Sequence, residues 1–196
     1  MIGIDEAGRG SLAGGFYIVG VKVLDKSIIE NCSLIRDSKK LSKKQRNKVY
    51  DYLQKNKNFL DVKIYKYSAE QIDKYGLSLL YKHSLTKLKD YFNFKYKGEK
   101  IIFDGNTNYG VSGINVAVRG EEKYKEIAIA SIIAKVLRDK EIEKYKNLYP
   151  EYLWEKHNGY PQNIHKEKIK ELGYIKGVHR KSWKIWLEGI IWNVLN

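Results

Sequence analysis

Asp5-Glu6-Ala7-Gly8-Arg9-Gly10 places two adjacent carboxylates at the end of a short apolar strand, directly before a glycine-flanked arginine. Ile2 and Ile4 point to one face of that strand and Gly3 and Asp5 to the other, so Asp5 leaves on a defined side while Glu6 opens a turn. The glycines let the backbone around Arg9 come close to another molecule, and a sugar-phosphate chain fits that description best. Two further acids follow strand-like runs, Asp104 after Lys100–Phe103 and Glu121 after Ile114–Val118 and Arg119-Gly120. If neighbouring strands bring these acids together, they repel: two carboxylates about 4 Å apart oppose each other by roughly 4 kcal/mol at an effective dielectric near 20. Such a cluster needs protons or divalent cations, and an oxygen-only ligand set points to Mg2+ or Mn2+ rather than zinc. Paired ions of that kind support hydrolysis of a phosphodiester without a protein nucleophile. Asp139 is a rival for the fourth acid. Its i, i+4, i+8 spacing with Lys135 and Ser131 gives it a simpler explanation as half of a Lys135–Asp139 helix pair.

The elements that must carry these acids are legible. Ile2–Asp5 and Gly14–Val23 read as a strand pair around the glycine-rich turn, and Phe59–Tyr67 as a third strand. Ser42 caps a helix running to about Lys55, and Ser68 with Gln71 forms a capping-box pattern ahead of the stripe Leu77, Leu80, Tyr81, Leu85 and Leu88. Lys100–Asp104 and Ile114–Val118 are short strands, and Tyr124 to about Asn147 is a long helix closed by Pro150. Shorter helices are expected over Ile164–Leu172 and Trp183–Leu195. The order predicts an α/β chain, a mixed central sheet flanked by helices with a C-terminal helical part, in one domain over residues 1–196.

Composition narrows the partner. Lys and Arg number 37 against 23 Asp and Glu, a formal charge of +14, which suits a polyanion, although basic composition alone also arises without any ligand. The single cysteine, Cys32, excludes an intrachain disulfide and an all-cysteine metal site. No run of about 18 apolar residues could span a bilayer, and the start lacks the pattern of a signal peptide. A cytoplasmic protein acting as a monomer without a membrane partner is expected.

Beyond the first motif come Asp37-Ser38-Lys39-Lys40-Leu41, Phe103-Asp104-Gly105-Asn106, Ala130-Ser131-Ile132-Ile133-Ala134-Lys135-Val136-Leu137-Arg138-Asp139, His157-Asn158-Gly159-Tyr160-Pro161 and His179-Arg180-Lys181-Ser182. In this order, and across nearly the whole chain, they resemble the type 2 ribonucleases H, specifically ribonuclease HII. The resemblance implies a ribonuclease H-like fold and a divalent-metal endoribonuclease. It further implies cleavage of RNA in RNA-DNA hybrids and nicking of duplex DNA 5′ of an embedded ribonucleotide, leaving 5′-phosphate and 3′-hydroxyl ends. Ribonucleotide excision repair and primer removal would be its setting.

By the same resemblance Asp5, Glu6 and Asp104 are metal ligands, and Glu121 stands where the family usually has Asp, with one methylene of extra reach. The backbone of Gly8, Arg9 and Gly10 would meet the 2′-hydroxyl that separates RNA from DNA. Tyr160 matches the tyrosine that stacks at an RNA-DNA junction, with Asn158 where Lys is more common. Lys39, Ser131, Lys135 and Arg180 are candidate phosphate contacts, and His179 is expected to be structural. Two alternatives stay open: a ribonuclease HIII-like enzyme, which would carry an additional N-terminal domain, and a catalytically silent hybrid-binding protein, if Glu121 cannot hold metal.

Overall fold

The computed structural model describes residues 1–35 and 41–183. Five strands, β1 (Ile2–Ala7), β2 (Phe16–Val23), β3 (Leu60–Tyr67), β4 (Ile101–Asp104) and β5 (Ile114–Ala117), form one sheet in the order β3-β2-β1-β4-β5. β1 pairs antiparallel with β2, from Ile2↔Lys22 to Ala7↔Tyr17, and parallel with β4, so the sheet is mixed as expected. β3 extends the antiparallel side and β5 the parallel side.

Ser68 closes the expected capping box with Gln71, and Ser42, expected only as a cap, closes one with Gln45. Ser42 opens α2 (Lys43–Lys55) after a single-turn α1 (Ser27–Glu30), and Ser68 opens α3 (Ala69–Tyr75). The apolar stripe that follows belongs to α4 (Leu77–Lys95), separated from α3 at Gly76. A four-residue α5 (Gly120–Lys123) and the long α6 (Lys125–Leu148) come next, then α7 (Trp154–His157) and α8 (Asn163–Leu172). The helix expected beyond Trp183 lies outside the described residues. Among the described helices none is long and apolar enough to cross a membrane.

The strand alternation read in the sequence decides how the layers meet. Ile2 and Ile4 are fully buried among Leu80, Tyr81, Leu85, Leu88 and Phe92 of α4. Gly3 faces the opposite layer, where a Cβ would lie 2.3 Å from the backbone nitrogen of Ile127, so only glycine lets α6 lie directly on β1. Asp5, two residues on, therefore points toward the same helix. A third cluster, Leu12, Ala13, Ile142, Tyr152, Trp154, Ile169 and Val178, fastens the C-terminal helices to the glycine-rich loop and the far half of α6.

Candidate active site

Asp5, Asp104 and Glu121 each place a carboxylate oxygen within 4.8 Å of the others. They arrive by different routes. Asp5 lies inside β1 and Asp104 is the last residue of β4. β5 stops at Ala117, and Arg119 turns the chain through a left-handed conformation, φ 57°. Glu121 accordingly stands in the first turn of α5 rather than at a strand end. That turn suits Asp104, whose carboxylate accepts the Gly120 and Glu121 amides at 3.1 and 3.4 Å. Glu121, longer by one methylene than Asp, reaches the cluster from that turn, and its Oε2 accepts Ser131 Oγ at 3.1 Å and pairs with Lys135 at 3.6 Å.

Glu6 is the acid that stands apart. As the neighbour of Asp5 in a strand it belongs to the opposite face, where its Oε1 accepts the Tyr81 hydroxyl at 2.9 Å. Its Oε2 is buried with no partner. Burial, followed by the charge of Glu6, holds the Asp5 carboxyl well above the usual range. Burial likewise raises Glu6 to about 7, against the opposing pull of Tyr81 and Arg9. Three convergent carboxylates, one orphaned buried carboxylate oxygen and pKa values pushed up by burial and like charge fit divalent cations bound through oxygen.

Next to the acids, the loop from Gly8 to Gly15 is clamped from behind. Gly8 adopts φ 91°, and a Cβ there would sit 2.5 Å from the Gly15 carbonyl. At Gly10 nothing of the protein lies within 4 Å of a Cβ, so its lack of a side chain has no internal packing reason and leaves room for a ligand. Arg9 is exposed. Arg180 is not: it is 0 % exposed and donates to the carbonyls of Gly14, Arg9 and Gly15 at 3.0, 3.2 and 3.0 Å. The expectation that Arg180 contacts phosphate is therefore corrected, because its guanidinium is committed to the loop backbone. Ser131 is corrected for the same reason, being 3 % exposed between the acids and Lys135. Lys135 remains partly open at the rim, its side chain 42 % exposed. Lys39 falls outside the described residues.

Lys135 turns toward Glu121 and Ser131, so the expected Lys135–Asp139 pair does not form; Asp139 instead meets Arg46 of α2 at 3.5 Å and Arg138 at 3.8 Å. Asp139 is not among the acids that converge with Asp5.

Tyr160 is 40 % exposed and its ring lies over the Arg138 guanidinium, 4.4 Å from Cζ. Arg138 also donates to Ser11 Oγ at 2.9 Å and to the Asn158 carbonyl, tying the tyrosine's loop to the glycine-rich loop. Gly159 completes the tie, its carbonyl accepting the Leu12 and Ala13 amides at 2.8 and 3.2 Å. Asn158 itself has φ 48°, a left-handed conformation that Asn tolerates better than most side chains, which accounts for the residue found there. Sequence reasoning missed Arg138, Tyr81 and Glu141, whose Oε2 accepts the Gly15 amide at 2.8 Å. Arg138 sat inside a quoted motif, but nothing in its spacing says that it is buried.

Comparison with known proteins gives the family. The profile of the Ribonuclease HII family matches residues 2–186. A ribonuclease HII of Campylobacter jejuni subsp. doylei is 40% identical over 185 residues, covering 94% of this chain and 91% of the relative. Ribonuclease HII of Archaeoglobus fulgidus, solved in a complex with PCNA, superposes with a TM-score of 0.74 at 25% identity and 93% coverage of both chains. Ribonuclease H2 of Pyrococcus horikoshii OT3 gives a TM-score of 0.70 at 28% identity, again with 93% coverage of both. The chain therefore belongs to the ribonuclease HII family of metal-dependent type 2 ribonuclease H endoribonucleases.

Proposed function

We propose that this chain hydrolyses the RNA strand of RNA-DNA hybrids and nicks duplex DNA on the 5′ side of an embedded ribonucleotide, leaving 5′-phosphate and 3′-hydroxyl ends. The observation that carries the reading is the convergence of Asp5, Asp104 and Glu121 within 4.8 Å; Glu6, whose Oε2 is buried without a partner, is the fourth acid of the reading. These four acids would hold Mg2+ or Mn2+, which when bound supplies activation of water and stabilisation of the departing oxygen. The chain's own residues do the rest. Ser131 and the amides of Gly120 and Glu121 fix carboxylate orientation, so little reorganisation is left for the moment of reaction.

Selection of RNA rests on the loop. Gly10 offers an approach free of protein atoms, through which the backbone of Gly8, Arg9 and Gly10 reads a 2′-hydroxyl. Tyr160 supplies an exposed ring for the deoxyribose side of the junction, and exposed Arg9 and rim Lys135 attract phosphate. Removal of ribonucleotides from DNA in the cytoplasm, in excision repair and primer removal, is the corresponding role.

The test is cleavage mapping on an end-labelled duplex containing one ribonucleotide, with and without Mg2+ or Mn2+. A single nick 5′ of the ribonucleotide that requires the cation is expected. An uncut duplex in both ions, or cleavage scattered through the DNA, overturns the proposal.

A further inference from the structure

Three histidines, His157, His165 and His179, pack beneath the Tyr160 loop against Trp154, and each is at most 2 % exposed. Their hydrogen bonds determine where every ring proton sits. The Tyr160 carbonyl can only accept, so His165, 2.9 Å away through Nδ1, must donate from that atom. A neutral His165 then has a bare Nε2. The amide of Ile175 donates to His179 Nδ1 at 2.9 Å, which leaves the proton of neutral His179 on Nε2. That proton faces the bare Nε2 of His165 at 3.1 Å. His157 is fixed independently: its Nδ1 accepts the Gly159 amide at 3.0 Å and its Nε2 donates to the Tyr152 carbonyl at 2.9 Å.

We propose that His179 and His165 form a relay of fixed tautomers that positions Tyr160, making both of them positioning residues for recognition of an RNA-DNA junction. The proposal rests on the reading of Tyr160 as the junction contact. Ile175 N–H, His179, His165 and the Tyr160 carbonyl form one directional chain, and it ends on the residue whose ring faces the substrate. The Tyr160 carbonyl also accepts the Gln162 amide at 2.8 Å, and its own amide donates to the His157 carbonyl at 2.9 Å, so both peptide groups of the residue are held from the protein side. The ring is then left to lie on Arg138 rather than to search rotamers. Any aromatic ring of similar size would fill the space of His165, whereas only a donor at Nδ1 with an acceptor at Nε2 completes this chain. Burial supports the neutral state by pushing His165 down to about 4 and His179 to about 3.

The experiment has two arms on the full chain. Long-range 1H–15N correlation of 15N-histidine protein should show His165 protonated at Nδ1, and His157 and His179 at Nε2. A His165 proton on Nε2 overturns the relay whatever the variants do. In kinetics, the ratio of kcat/KM on a single-ribonucleotide duplex to kcat/KM on a uniform RNA-DNA hybrid should fall about tenfold in His165→Phe and recover in His165→Asn, whose amide donates near the Nδ1 position. His165→Phe should add no further fall in a Tyr160→Ala background. An unchanged ratio in folded His165→Phe overturns the proposal. Should that variant fail to fold, His179→Gln and His179→Phe replace it, with the ratio retained in the first and lowered in the second. An unchanged ratio in Tyr160→Ala alone overturns the premise about Tyr160, and it is distinguished from failure of the relay because the tautomer arm does not depend on substrate.

Discussion

The acid cluster and the histidine cluster are both buried groups of titratable side chains, yet one is short of partners and the other is complete. At the acids, Glu6 Oε2 has none; burial pushes Asp5 and Glu6 toward the protonated state, with the charge of Glu6 adding to it at Asp5 and that of Asp104 at Glu6. Under Tyr160, the ring nitrogens of His157, His165 and His179 all have partners and all three rings stay neutral. A buried carboxylate left uncompensated is suited to a cation from outside, while a closed hydrogen-bond network holds its members in place. The glycine-rich loop follows the first two acids in the chain and is hydrogen-bonded to Gly159 of the Tyr160 loop, and Arg180 and Glu141 hold it by its backbone.

The largest way to break the comparison is to remove a ligand charge. Asp5→Asn or Asp104→Asn should lower cleavage by about 10²–10³-fold or more, the scale of losing one preorganised electrostatic group. Thermal stability of the metal-free protein should hold or rise as repulsion is relieved. Activity assays in Mg2+ and Mn2+ beside calorimetry check both halves.

Glu121 sharpens the boundary of the site. Glu121→Gln should suppress cleavage about 10²-fold with little change in melting temperature. Asp139→Asn should retain activity and lose at most about 1 kcal/mol, since its pair with Arg46 is partly solvated. An active Glu121→Gln together with an inactive, folded Asp139→Asn would exchange their roles.

Glu6 gives the cluster a pH signature. Its folded pKa is raised from 4.5 to about 7, so between these values the folded state holds a proton that the unfolded chain has lost. Stability from this group therefore falls as pH rises through that window, by roughly 3 kcal/mol when complete. The histidines act in the opposite sense at lower pH, because their depressed pKa values make stability fall as pH drops below about 6.5 toward 4. Comparing denaturation of the parent with Glu6→Gln from pH 5 to 8, without metal, cancels the histidines. The variant's advantage should grow with pH.

The smallest effect is on selectivity. Tyr160→Ala should reduce cleavage at a single embedded ribonucleotide about tenfold relative to a long hybrid, within the range of about 1–3 kcal/mol for aromatic stacking on nucleic acid. Competition between the two substrates measures this, and an unchanged ratio would reduce Tyr160 to a packing role.

Much of the site was legible because strand alternation and chain order govern it. Asp5 and Asp104 follow apolar runs of the right period, and Ser42 and Ser68 cap their helices as their spacing implies. What the sequence hid is choice of partner. Lys135 has Ser131, Glu121 and Asp139 within its geometric reach, and only the docking of α5 and α2 on α6 gives Glu121 to Lys135 and Arg46 to Asp139. An arginine in sequence reads as exposed charge, so neither the burial of Arg180 under the loop nor that of Arg138 under Tyr160 could be seen. Adjacent acids likewise read as one unit, although a strand sends Asp5 and Glu6 to opposite faces.

The most direct test of the acid centre is a divalent-cation titration followed by calorimetry and thermal unfolding at pH 8, comparing the parent with Asp5→Asn and Asp104→Asn. Mg2+ or Mn2+ should bind the parent and raise its melting temperature, because the cation compensates carboxylates that the metal-free fold holds under repulsion, and both variants should lose most of that response. An equal rise in all three proteins, or none in the parent, would contradict the account.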